Sequence, residues 1–168
     1  MPGEQSEGVT RVVIVGAGPG GYAAAFRAAD LGMEVTMIDT EPNPGGVCLY
    51  RGCIPSKALL NSTEKFIEFL NHGEEHGIKT GKIELDLSKL MQRKEKIVKQ
   101  LTNGVRFLFK KNKITHLCGI ASFIDKKNII VRSSEEEKKL SAKNFIIATG
   151  STPVLIPSIP VNKKNIIT

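Results

Sequence analysis

Cys48 and Cys53 are separated by Leu49, Tyr50, Arg51 and Gly52 and followed by Ile54-Pro55-Ser56-Lys57, and this pair has the types and spacing to do chemistry. Four readings compete. A structural zinc site would need two more ligands and paired cysteines about two to four residues apart. The remaining candidates, Cys118, His72, His76 and His116, are not paired at such a spacing. A purely structural disulfide calls for an oxidising compartment, and no secretion signal precedes it. Two inert core thiols are a third reading, as free cysteine is often buried. The fourth is redox exchange. Pro55 suits the opening of a helix, where its missing N–H costs nothing. Cys53 then stands at the helix start, where the dipole stabilises a thiolate and lowers the thiol pKa. Arg51 and Lys57 add positive charge nearby, and a glycine-rich loop carrying Cys48 would bring it onto Cys53.

A second constellation lies upstream. Gly16, Gly18 and Gly21 fit G-x-G-x-x-G, between the apolar run Arg11–Val15 and the alanine-rich, helix-forming Tyr22–Leu31. Each glycine has its own reason: Gly16 for a tight turn, Gly18 for close approach of a pyrophosphate, Gly21 for helix–strand packing. The unpaired N–H groups at the helix start then hold the anion. Asp39 ends the next apolar segment, Glu34–Ile38, where a carboxylate accepts from a ribose diol and repels a 2′-phosphate. Such a site suits FAD or NAD and not NADP, and the fingerprint does not separate the first two.

The elements that must position these residues follow from pattern. Strand, helix and strand within about thirty residues make one βαβ unit. Pro42, Pro44, Gly45 and Gly46 break it, and a helix is predicted from Pro55 through Ile67 and Leu70 to near Gly73. A second helix, capped by Asp86 or Ser88, carries Leu87, Leu90, Met91, Ile97, Val98, Leu101, Val105 and Leu108 at helical spacing. The two form an antiparallel pair. Short β pieces are then predicted at Ile114–Cys118, Ile120–Ile124, Ile129–Arg132 and Lys138–Leu140, with Cys118 a small buried hydrophobe in its strand. Asn144–Ala148 is a last buried-type strand ending in Thr149-Gly150-Ser151.

Composition sets the outer limits. The 168 residues suffice for one domain. The net charge of +7 is concentrated in the second helix, where Lys89, Arg93, Lys94, Lys96, Lys99, Arg106, Lys110, Lys111 and Lys113 oppose one acid, Glu95. This reads as a solvated basic face without interleaved aromatics, so no nucleic-acid partner is expected. No apolar run reaches the roughly 18 residues of a membrane span. The polar start, residues 1–10, is neither a secretory signal nor an Arg-rich transit peptide. It points to a cytoplasmic protein, or to the mitochondrial matrix for a mature form.

With these residues in view, Gly45-Gly-Val-Cys-Leu-Tyr-Arg-Gly-Cys-Ile-Pro-Ser-Lys-Ala-Leu59 resembles the active-site signature of the pyridine-nucleotide-disulfide oxidoreductases, and most of all their dihydrolipoamide dehydrogenase branch. The resemblance runs from about Arg11 to Pro157. It implies a doubly wound, Rossmann-like α/β domain binding FAD, with an inserted helical pair and a small antiparallel β meander. In that scheme Gly16, Gly18, Gly21 and Asp39 hold the ADP half, and Gly46 and Lys57 lie on the flavin side. Ala121 contacts adenosine through its backbone, and Ala148-Thr149-Gly150-Ser151 forms a second contacting turn. Cys53 is implied to face the flavin and Cys48 to exchange with the lipoyl group. The implied reaction oxidises protein-bound dihydrolipoamide through Cys48–Cys53 and FAD to NAD. The implied partners are lipoyl domains of 2-oxo acid dehydrogenase complexes or of the glycine cleavage system, with a homodimer partner or completing chain.

The departures are Asp39 in place of the commoner Glu, no second glycine fingerprint after Gly21, and histidines at no matching position. Residues 11–152 are thus expected to be the FAD-binding domain, and 153–168, with Pro153, Pro157 and Pro160, a linker toward an absent NAD domain. The chain reads as an N-terminal piece; a non-catalytic FAD-binding or thiol-exchange module and a mercuric reductase fragment are the alternatives.

Overall fold

The computed structural model describes residues 11–167; the expected polar tail, residues 1–10, lies outside them. Strand β1 (Arg11–Val15) leads into helix α1 (Pro19–Asp30) and strand β2 (Glu34–Asp39), completing the βαβ unit. Helices α2 (Gly46–Tyr50), α3 (Cys53–His72) and α4 (Leu87–Lys111) follow, with a short turn of 3₁₀ helix at Glu74–His76. Strands β3 (Thr115–Cys118), β4 (Ile120–Phe123), β5 (Asn128–Arg132), β6 (Glu137–Ser141) and β7 (Asn144–Ile147) complete the order.

Two sheets result. One is parallel, ordered β3-β2-β1-β7, and the other is an antiparallel meander, β4-β5-β6. Side chains alternate across a strand, so β1 feeds two cores at once. Val12 and Ile14 pack with Val35, Met37, Ala25, Ala28 and Phe109 on the helical face. Val13 packs with Ile38, Ile129, Val131 and Ala142 on the meander face. The near-continuous apolar run of β1 has this double burial as its cause.

The piece predicted at Ile114–Cys118 has a different place from the other short strands. It pairs in parallel with β2, Thr36 opposite Thr115 and Asp39 opposite Cys118, so the meander has three strands. Parallel pairing needs a long crossover, and α2, α3 and α4 supply it. Cys118 is a correction: it is exposed, because it ends an edge strand, and its Sγ donates to the Thr40 carbonyl at 3.4 Å.

The helical pair forms as expected. The Asp86 carboxylate accepts from Lys89 N at 3.0 Å and caps α4. Arg93 crosses to α3, donating to the Ala58 carbonyl at 3.0 Å and to Ser62 and Asn61 at 3.2 Å. The basic side chains Lys89, Lys96, Lys99 and Lys110 are solvated, but the expectation of no aromatic among them fails: Phe107 is 66% exposed. Among the described residues no helix is long and apolar enough to cross a membrane.

His116 carries the first testable consequence. Its Nε2 is buried without a hydrogen-bond partner among the described residues, and its ring packs edge-on to Phe109 at 5.9 Å. Burial pushes its pKa below the usual 6.5; the nearby Asp39 carboxylate opposes this and Arg106 adds to it. The neutral form is therefore favoured by folding. Its contribution is complete above about 6.5 and declines as the pH falls from there toward the lowered value. Urea unfolding of wild type and His116→Leu between about pH 8 and pH 5 should show the variant gaining relative stability as the solution is acidified. Parallel pH profiles would contradict this.

Candidate functional site

The carboxyl ends of β1, β2 and β7 meet at the glycine loop. Gly16 takes φ +105°, and a Cβ there would collide with the Ala148 carbonyl at the end of β7. Its N–H donates to Ile38 O at 2.7 Å, tying the loop to β2. Gly21 sits in the first turn of α1 directly over Gly16, leaving no room for a side chain on that face. Gly18 is the N-cap of α1 and Pro19 follows; glycine offers no side-chain cap, so the first N–H groups of the helix remain for a ligand.

Asp39 holds this loop from β2. Its Oδ2 accepts from Ala17 N at 2.5 Å and its Oδ1 from Glu41 N at 2.9 Å. A carboxylate has about four acceptor positions, so a diol could still donate to it.

The redox segment packs onto the same loop. Gly45 N donates to Ala17 O at 2.9 Å, and Gly46, at φ +61°, lies against the Gly18 backbone. The expected loop around Cys48 is corrected here: Cys48 lies within the short helix α2. The Tyr50 hydroxyl donates to Pro44 O at 3.1 Å and closes the turn before it. Cys53 opens α3 as its first residue, and Gly52 packs against Val47 and Cys48. Cys48 and Cys53 form a disulfide with Cα atoms 4.8 Å apart. Two helical elements and a glycine thus bring the cysteines together.

Between these parts lies a cavity of about 660 Å³. Its wall contains Gly16 and Gly18, then Asp39, Gly46 and Cys48, and finally Ala148, Thr149, Gly150 and Ser151. Four other expected residues are outside that wall. Gly21 packs beneath it, and Ala121 is half-buried in β4 against the meander core. Cys53 and Lys57 are exposed on α3, with Cys53 reached through its bond to Cys48. Thr40, Glu41, Tyr50 and Arg51 also line the cavity and were missed as site residues. For Thr40 and Glu41 the available signal was position, since residues just past a strand's carboxyl end border the crevice in open α/β sheets.

The donor set fits a dinucleotide: bare glycine backbone, an uncapped helix start for phosphates, and a carboxylate for a ribose. It does not suggest a metal, as no group of three or more His, Cys, Asp or Glu among the described residues could hold one.

Comparison with known proteins gives a consistent result. The family model described as pyridine nucleotide-disulphide oxidoreductase matches residues 10–168. A dihydrolipoyl dehydrogenase of Geobacillus stearothermophilus is 43% identical over 155 residues, covering 92% of this chain and 33% of the relative. The mitochondrial dihydrolipoyl dehydrogenase of Pisum sativum is 43% identical over 157 residues, covering 93% of this chain and 31% of the relative. The crystal structure of LpdA from Mycobacterium tuberculosis superposes with a TM-score of 0.83 at 25% identity, covering 95% of this chain and 36% of that one. The chain spans about a third of the length of these relatives.

Proposed function

The chain belongs to the pyridine nucleotide-disulphide oxidoreductase family, and from that premise we propose that it is the FAD-binding, disulfide-bearing part of an enzyme of the dihydrolipoyl dehydrogenase type. The observation that carries this is the Cys48–Cys53 disulfide, whose Cys48 half lies in the wall of a glycine-lined cavity. Residues 11–152 would be the cofactor unit, and the proline-bearing residues 153–168 an appended segment. FAD would be held by Gly16, Gly18 and Asp39, by Gly46, and by the turn Ala148–Ser151. When bound, it supplies a two-electron acceptor, and NAD is the co-substrate of the whole enzyme. Lipoyl domains of 2-oxo acid dehydrogenase complexes are the proposed partners.

The chain's own step is thiol–disulfide exchange. A dihydrolipoyl thiolate attacks Cys48 Sγ, and the bond to Cys53 breaks, its electron pair leaving on Cys53 Sγ. The second dihydrolipoyl thiol attacks the lipoyl sulfur of the mixed disulfide and expels Cys48, its proton passing to the departing Cys48 sulfur. The dithiol is oxidised to a cyclic disulfide and the cysteine pair is reduced. Cys53 is the better leaving group, because the start of a 20-residue helix stabilises its thiolate. Lys57, one turn further along α3, adds positive charge on the same side. The exposure of Cys53 also favours a second reading, a thiol-exchange module that works without flavin.

The visible spectrum of the purified chain with FAD, before and after dihydrolipoamide, separates the two. We expect a bound-flavin spectrum that gains long-wavelength absorption once the disulfide is reduced. A disulfide that dihydrolipoamide reduces without any bound flavin would favour the exchange module and overturn the cofactor role.

A further inference from the structure

Arg51 lies between the two cysteines in sequence, and its guanidinium is engaged by a carboxylate. Nη2 donates to Glu41 Oε1 at 3.1 Å, and both residues line the cavity rim. Glu41 is two residues past the end of β2, and its own N–H is held by Asp39, which also holds Ala17 of the glycine loop. On its other side Arg51 ends α2, its N–H donating to Val47 O at 2.9 Å. A chain of hydrogen bonds thus runs from the glycine loop through Asp39, Glu41 and Arg51 into the segment that links Cys48 to Cys53.

We propose that the Glu41–Arg51 ion pair is a clasp that holds the segment between Cys48 and Cys53 in its disulfide-closed position at the cavity rim, making Arg51 a positioning residue. The proposal rests on the redox reading of the cysteine pair. The pair joins the redox segment to the loop after β2, so it resists any outward movement of that segment when the sulfurs separate. It therefore favours the disulfide over the dithiol. Arg51 is 71% exposed and Glu41 48% exposed, so the pair contributes little to overall stability and is sensitive to salt. Its effect belongs to the disulfide equilibrium and not to the melting temperature.

The test equilibrates the full chain with mixtures of reduced and oxidised glutathione and counts the free thiols. Arg51→Gln and Glu41→Gln should each shift the equilibrium toward the dithiol by about two- to fivefold, the size expected of an exposed pair. Arg51→Lys should retain wild-type behaviour, because only one guanidinium nitrogen makes the contact. The exchanged pair Glu41→Arg with Arg51→Glu should restore it, and salt of about 1 M should erase the difference between wild type and the single variants.

A simple field effect gives a different pattern. Removing the cation would then favour the disulfide and removing the anion the dithiol, so shifts of opposite sign overturn the clasp. Single variants indistinguishable from wild type overturn it as well. A wild-type pair that does not equilibrate with glutathione at all would instead defeat the redox reading, and the clasp with it.

Discussion

Serine at either Cys48 or Cys53 is expected to lower the rate of dihydrolipoamide oxidation by the chain by on the order of a thousandfold or more, because the two sulfurs act as one unit. The single thiols left behind should differ from each other. Cys48→Ser leaves Cys53 at the first position of α3, facing unpaired N–H groups and the positive end of a 20-residue helix. Cys53→Ser leaves Cys48 at the third position of a helix of only 5 residues, whose dipole is correspondingly smaller. Alkylation by iodoacetamide, followed against pH, should therefore have its midpoint lower for Cys53 by about one unit or more.

The midpoint is the readout and not the absolute rate, since Cys53 is also the more exposed residue and would react faster for that reason alone. Losing so short a loop closure costs no more than about 2 kcal/mol, so both variants should remain folded. Coincident midpoints would remove the reason for making Cys53 the leaving group. A lower midpoint for Cys48 would reverse the roles, in keeping with the place of Cys48 in the cavity wall.

Much of this arrangement was legible because its signals are local. The glycines stand between an apolar run and an alanine-rich one, and the structure puts them between β1 and α1, with Asp39 ending β2. Asp86 caps α4 through its own side chain, a contact over three residues. What was not legible depends on partners distant in sequence. Nothing in Thr115–Cys118 itself distinguishes an edge strand of a parallel sheet from a strand of the meander; the crossover through α2–α4 decides it. The exposure of Cys118 follows from that edge. The helix α2 has 5 residues, too few to show a period of about 3.6, and glycines at its start argue against it locally. Glu41 and Arg51 are ordinary charged residues until the fold brings them to one rim. Phe107 was not among the apolar positions read on α4, and its exposure depends on which turn meets the sheet.

The glycines of the fingerprint give the other large effect, and they separate packing from binding. Gly21→Ala should destabilise the chain even without a ligand. The new methyl meets the Gly16 carbonyl, and that carbonyl cannot step aside, because Gly16 N–H is bonded to Ile38 O and Ala17 N to Asp39. Either α1 lifts from β1 or the loop opens. Overpacking of this kind typically costs about 1–3 kcal/mol and occasionally more, a large share of the roughly 5–15 kcal/mol that holds a domain together.

Gly20→Ala is the control for stability, since nothing lies within 4 Å of its Cβ and alanine is the better helix former. Gly18→Ala is the informative contrast. Its backbone is extended, at φ −70°, and its Cβ would lie 3.9 Å from Gly46 Cα, so urea unfolding of the apo chain should lose only the roughly 1 kcal/mol or less by which alanine is a poorer N-cap than glycine. The methyl would nevertheless stand in the cavity where a pyrophosphate must approach the backbone, and FAD affinity should fall by on the order of tenfold, about 1.4 kcal/mol. A Gly21→Ala chain as stable as wild type would show that α1 and β1 tolerate separation. A Gly18→Ala chain that binds FAD normally would place the phosphates elsewhere, leaving the loop its structural role alone.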